Sequence, residues 1–110
     1  MKQGEIYLVP FPFSDFSGSK VRPIVIISKN EFNNHSHDLI VCGVTTNLSK
    51  DNYTIQITTK SLVEGKLFSE SAIKAENILR IDKSLLIKKI GKINQDKIRL
   101  VIQKLNQIFT

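Results

Sequence analysis

Arg22 opens Arg22-Pro23-Ile24-Val25-Ile26-Ile27-Ser28, where a charged residue passes directly into four β-branched apolar ones. Its guanidinium is a planar fork of donors that suits phosphate oxygens and stays protonated. Pro23 biases Arg22 toward extended backbone and fits the first residue of a strand, so the cation stands at the mouth of a rigid element. An arginine lining a turn would look the same. Thr45 and Thr46 follow the apolar run Val41-Cys42-Gly43-Val44, and a hydroxyl there can bond a phosphate or a ribose. Threonine is also an ordinary strand residue. Lys74 and Glu76 lie two apart, which on a strand projects a cation and a carboxylate from one face. Such a pair is also a common surface ion pair. Together these groups could cleave RNA through its own 2′-hydroxyl. That reaction needs a base for the hydroxyl, a proton for the leaving 5′-oxygen and donors on the phosphate.

Other reactive residues carry less. His35, His37 and Asp38 lack the further His or Cys spacing of a metal site and read as solvated loop residues, so no metal or cofactor is expected. Cys42 lies inside an apolar run and reads as a small core residue. No Ser-His-Asp order, Walker loop or glycine fingerprint is present. The net charge of +6, from 16 Lys and Arg against 10 Asp and Glu, points to a polyanion or an acidic protein as partner. Lys83, Lys88, Lys89, Lys92, Lys97, Arg99 and Lys104 crowd the last third, partly as a solvated helix face.

The elements that must hold these groups are short. The 110 residues suit one domain, 1–110, with no repeat, linker or composition break. A single cysteine, no basic-apolar leader and no long apolar span lead us to expect a cytoplasmic chain without membrane contact. Gly4 to Val9 reads as a first strand stopped by Pro10 and Pro12, and Phe13 to Lys20 as a polar loop. Ile24 to Ser28 reads as a strand buried on both faces, since a half-exposed strand would alternate. Asn30 to His37 reads as loop, and Leu39 to Thr46 as a strand in which Gly43 marks a bulge or a close approach. Tyr53 to Ile57 alternates as a half-exposed strand should, and Leu62 to Lys66 reads as a turn. Further strands are expected near Ser69–Ala75, Ile78–Ile81 and Ile87–Ile93. The period then changes. Ile98, Val101, Ile102, Leu105, Ile108 and Phe109 fall on a helical stripe, with Asn94 as N-cap and Asp96 in the first turn. Six or seven short strands without crossover helices predict a mainly β, small antiparallel barrel with one C-terminal amphipathic helix.

Gly4-Glu5-Ile6-Tyr7, Phe11-Pro12-Phe13-Ser14-Asp15, Arg22 to Ser28, Val44-Thr45-Thr46-Asn47 and Ile81-Asp82-Lys83 occur in an order that resembles the MazF/PemK family of toxin endoribonucleases. The resemblance spans nearly the whole chain. It implies an SH3-like barrel that works as a homodimer, cuts single-stranded RNA without a metal ion and is held by a small antitoxin with an acidic tail. By position it makes Arg22 and Thr45 the catalytic arginine and threonine. Lys74 and Glu76 fall where PemK-like members place an arginine acid and an aspartate base. Those members also carry a histidine in the first loop, where this chain has Ser14, Ser17 and Ser19. Ser17, Ser19, Lys20, Thr46 and Asn47 are the candidate RNA-binding residues. A non-catalytic SH3-like barrel that binds nucleic acid or an acidic protein is the alternative.

Overall fold

The computed structural model describes residues 1–11, 20–48 and 51–110. Its strands are β1 (Glu5–Phe11), β2 (Lys20–Ile26), β3 (Asp38–Thr45), β4 (Thr54–Ile57), β5 (Leu62–Gly65), β6 (Ser71–Asp82) and β7 (Lys88–Ile93). Two α-helices, α1 (Asn30–His35) and α2 (Gln95–Phe109), and two short 3-10 turns, Thr59–Ser61 and Lys83–Leu85, complete the described elements. The strands form one antiparallel sheet in the order β4-β6-β3-β2-β1-β7-β5. Consecutive strands β4 and β5 thus occupy opposite edges. Laid flat, seven strands would separate those edges by about 29 Å. Residues 58–61, which join them, span at most about 18 Å from Ile57 to Leu62 even when extended. The sheet must therefore curl into a half-barrel. A short 3-10 turn over Thr59–Ser61 makes the link, with Thr58 N donating to Ser61 Oγ and Lys60 N to Thr58 Oγ1.

Both faces of the central strands are apolar. On one, Ile6, Val25, Cys42, Val44, Ile55, Ile57, Ile73, Ala75 and Ile93 join Ile98 and Val101 of α2. On the other, Val9, Ile24, Ile26, Leu39 and Val41 form a second cluster with Tyr7, Leu79, Ile81 and Leu86. Ile24, Val25 and Ile26 are fully buried, as their unbroken apolar run predicts. Asn94 caps α2, accepting from Lys97 N at 2.9 Å, and Asp96 lies in the first turn. The helix docks so closely on Gly4 (φ +92°) that a Cβ there would lie 2.8 Å from Ile98 Cδ1. Within the predicted stripe, Ile98 and Val101 are buried, whereas Ile102 and Phe109 face solvent.

The differences from the sequence reading have physical causes. β1 runs through Pro10 to Phe11, paired with β2 up to Lys20. Pro23 lies inside β2 rather than at its start. It precedes by one residue the pairing with β3, so that ladder loses no donor. Asn30–His35 is helical although too short to show a period, and it is pinned by the buried Asn33, whose Nδ2 donates to Ser28 O at 2.9 Å. Lys83 Nζ also donates to the Asn33 carbonyl. Leu62–Gly65 is an edge strand paired with β7, with Val63, Glu64 and Gly65 exposed. The strands expected at Ser69–Ala75 and Ile78–Ile81 are one twelve-residue strand, β6. Of the loop expected from Phe13 to Lys20, residues 13–19 lie outside the described residues, and Lys20 opens β2 instead.

Candidate functional site

The register places the candidate residues. Val9 pairs with Arg22, and Ile24 with Gly43, which puts Arg22, Ile24 and Gly43 on the face of the second apolar cluster. Continuing that register by two residues brings Arg22 level with Thr45, past the last paired positions of β2 and β3. Gly43 pairs in turn with Lys74, and Lys74 with Thr54 on β4. Directly opposed residues point to the same side of an antiparallel pair. Arg22, Thr45, Lys74 and Thr54 therefore share the sheet face opposite α2. Thr45 and Lys74 are diagonal neighbours, a spacing of about 7–8 Å.

Arg22 is exposed, Lys74 half-buried and Glu76 exposed, and none of their side chains makes a hydrogen bond or ion pair among the described residues. In particular, no ion pair joins Lys74 to Glu76. Thr45 has a local task as well. Its Oγ1 accepts from Asn47 N at 3.0 Å and so turns the chain at the end of β3. Thr46 and Asn47 are exposed in that turn. Ser17 and Ser19 lie outside the described residues, as does the side chain of Lys20, whose backbone opens β2.

A bulge in β6 shapes the middle of this face. Gly43 pairs with Lys74, but its neighbour Cys42 pairs with Ile78, so Ala75, Glu76 and Asn77 have no counterparts on β3. The two-residue alternation that would align Lys74 with Glu76 is interrupted there. Ala75 drops into the core and its carbonyl lies 3.7 Å from Cys42 Sγ. Asn77 reaches back across the sheet. A Cβ on Gly43 would lie 2.5 Å from Asn77 Nδ2, so the amide covers Gly43 between Thr45 and Lys74. Reading the sequence alone missed Asn77. The signal was Gly43 itself, a strand glycine that marks a close approach without naming its neighbour.

Burial, with the Glu76 carboxylate nearby, pushes the Cys42 thiol up to about 12, so it is no nucleophile. His35 closes α1 and His37 follows it, both exposed. Among the described residues no group of three or more His, Cys, Asp or Glu is arranged to hold a metal ion. No helix among them is long and apolar enough to cross a membrane.

Comparison with known proteins gives this arrangement a context. An Endoribonuclease MazF of Staphylococcus saprophyticus is 28% identical over 102 residues, covering 92% of this chain and 84% of the relative. An endoribonuclease from a mycobacterial species, solved in complex with its cognate antitoxin, superposes with a TM-score of 0.77 at 16% identity, covering 99% of this chain and 94% of its own. MazF from Deinococcus radiodurans, solved with MazE, gives 0.75 at 15% identity, with 99% and 94% covered. These distant structures share the fold. The model of the family described as the PemK-like, MazF-like toxin of type II toxin-antitoxin systems matches residues 2–109, and with all but the two chain ends inside that match the chain belongs to this family.

Proposed function

We propose that this protein is the toxin of a type II toxin-antitoxin pair, an endoribonuclease that cuts single-stranded messenger RNA in the cytoplasm at selected sequences without a metal ion. The observation that carries this is Arg22, exposed and without a side-chain partner among the described residues, on the same sheet face as Thr45 and Lys74. A guanidinium not engaged by a carboxylate or a carbonyl keeps its fork of donors available to a phosphate. Family membership and the endoribonuclease name of the Staphylococcus relative support the reading.

In the proposed reaction, Glu76 takes the proton of the 2′-hydroxyl as its oxygen bonds to the adjoining phosphorus. The bond from phosphorus to the 5′-oxygen breaks, and Lys74 protonates that oxygen or neutralises its charge while solvent supplies the proton. Arg22 holds the charge that builds on the phosphate, and Thr45 positions the phosphate. The products are a 2′,3′-cyclic phosphate and a 5′-hydroxyl. A homodimer and a small antitoxin with an acidic tail complete the proposal. The net charge of +6 suits such a tail, and relatives of this fold have been solved with their antitoxins.

Incubation with single-stranded RNA in a chelator, followed by end-group analysis, tests the reading. Cyclic-phosphate and 5′-hydroxyl ends are expected. Salt-dependent RNA binding with no cut at any sequence would replace the enzyme with a binding module.

A further inference from the structure

Lys74 is not the last cation along its row. Thr54, its partner on β4, also lines a groove of about 410 Å³ between the outer edge of β4 and α2. Gln56, Asp51 and Ile55 complete one wall, and Lys97, Leu100 and Lys104 the other. The three helix residues are three and four apart, so they form one stripe in which the lysines lie two turns, about 10 Å, apart. Both lysines are half-buried, and their side chains make no hydrogen bond or ion pair among the described residues. Leu100, between them, is 39% exposed. The one carboxylate here, Asp51, is turned to its own loop, accepting from Tyr53 N at 2.9 Å. β4 is the terminal strand of the sheet, so nothing in the sheet order blocks a chain that leaves Lys74 and crosses Thr54.

We infer that this groove is a second binding site, one that holds the phosphates of single-stranded RNA flanking the cleaved bond. Lys97 and Lys104 pair with two successive stretches of the backbone, and Leu100 offers an apolar surface to a base between them. This rests on the ribonuclease reading for its substrate, but not for its geometry. Continuity with Lys74 through Thr54 favours RNA, because a strand held at the Arg22 row must leave that face and the β4 edge is an open end of the sheet. The groove lies around the β4 edge from the cleavage face, so it engages long RNA and leaves short RNA unaffected.

Fluorescence anisotropy with 2′-O-methyl RNA, which cannot be cut, measures binding independently of cleavage. Two labelled probes serve, one of about five nucleotides and one of about twenty, which bracket a single site. Replacing both Lys97 and Lys104 with Ala should weaken the long probe about tenfold and lower its salt slope by about 1.4, the share of two single-strand phosphates. The short probe should bind unchanged, and the double Arg variant should keep the wild-type slope. An unchanged slope on the long probe, or an equal loss on both probes, overturns the inference. So would protection of Lys97 and Lys104 from acetylation by poly-glutamate but not by the long RNA, which would give the groove to an acidic protein. Should the wild type cut no RNA, the ribonuclease reading fails while the probe-length comparison still decides this site.

Discussion

Arg22 is exposed and free of partners among the described residues, so its loss should leave the fold nearly untouched. Arg22→Ala should change stability by less than about 0.5 kcal/mol. The same change should cut kcat by about a hundredfold to a thousandfold, the cost of removing one preorganised donor from a developing charge. A thermal melt beside an RNA cleavage assay checks both halves, and full activity in the variant would sink the assignment. Gly43 and Asn77 should behave as one unit, because a Cβ at 43 takes the place of the Asn77 amide. Gly43→Ala and Asn77→Ala are each expected to lower kcat/KM about tenfold, with the double variant no worse than the poorer single one, a coupling of about 1.4 kcal/mol. Additive losses would separate the two residues. The buried run that carries Arg22 was legible in sequence, Ile24 to Ile26 being fully buried, although Pro23 lies inside β2 and not at its start. Asn77 was not, because its role depends on a three-residue offset between β6 and β3 that no local pattern encodes.

At the scale of elements, β1, β5 and β7 are tied by one charged cluster. Lys89 Nζ lies 2.9 Å from Glu5 Oε2 and 2.7 Å from Glu64 Oε2, while Glu5 Oε1 accepts from Lys2 N at 2.7 Å. Burial pushes the Glu5 carboxyl up, but Lys89 and the Lys2 amide outweigh it and hold the group below its ordinary value. A lowered carboxyl stabilises the fold above the carboxyl's ordinary range, about pH 4.3. That contribution fades as pH falls through the lower, folded value. Glu5→Gln should therefore cost about 1–2 kcal/mol at neutral pH, and the gap in Tm from wild type should close in strong acid. A gap that persists there would mean that packing, not charge, carries the effect. The elements were legible where burial is one-sided or complete, as in β4 and the core of β2, although β2 spans Lys20–Ile26 where Ile24 to Ser28 was expected. They were not where pairing is the cause. β5 buries little and exists because β7 needs a partner at its edge. β6 read as two strands because Glu76 and Asn77 interrupt its apolar run, and that interruption is the bulge beside Lys74 and Gly43.

Across the whole molecule, the sheet puts its larger core and the residues proposed to act on RNA on opposite faces. The larger cluster and α2 lie on one face, while Arg22, Thr45 and Lys74 share the other. This separation follows from the register, in which Val44, Ile73 and Ile55 pair inward and their neighbours Thr45, Lys74 and Thr54 point outward. Damage to the α2 interface should thus lower stability without touching chemistry. Ile98 is the natural probe, since it is 6% exposed and packs on Gly4 and Ile93. Ala is the best helix former, so Ile98→Ala leaves helix propensity intact and isolates the lost contacts. The cost should be about 2–5 kcal/mol, enough to lower Tm by roughly 10–20 °C in a domain this size. At 25 °C, kcat per folded molecule should match wild type, because the cavity opens on the far side of the sheet from the Arg22 row. A matched fall in kcat, with the folded fraction held constant by circular dichroism, would show that the two faces are coupled. The curl of the sheet around its interior would then be part of the catalytic geometry, not merely its support.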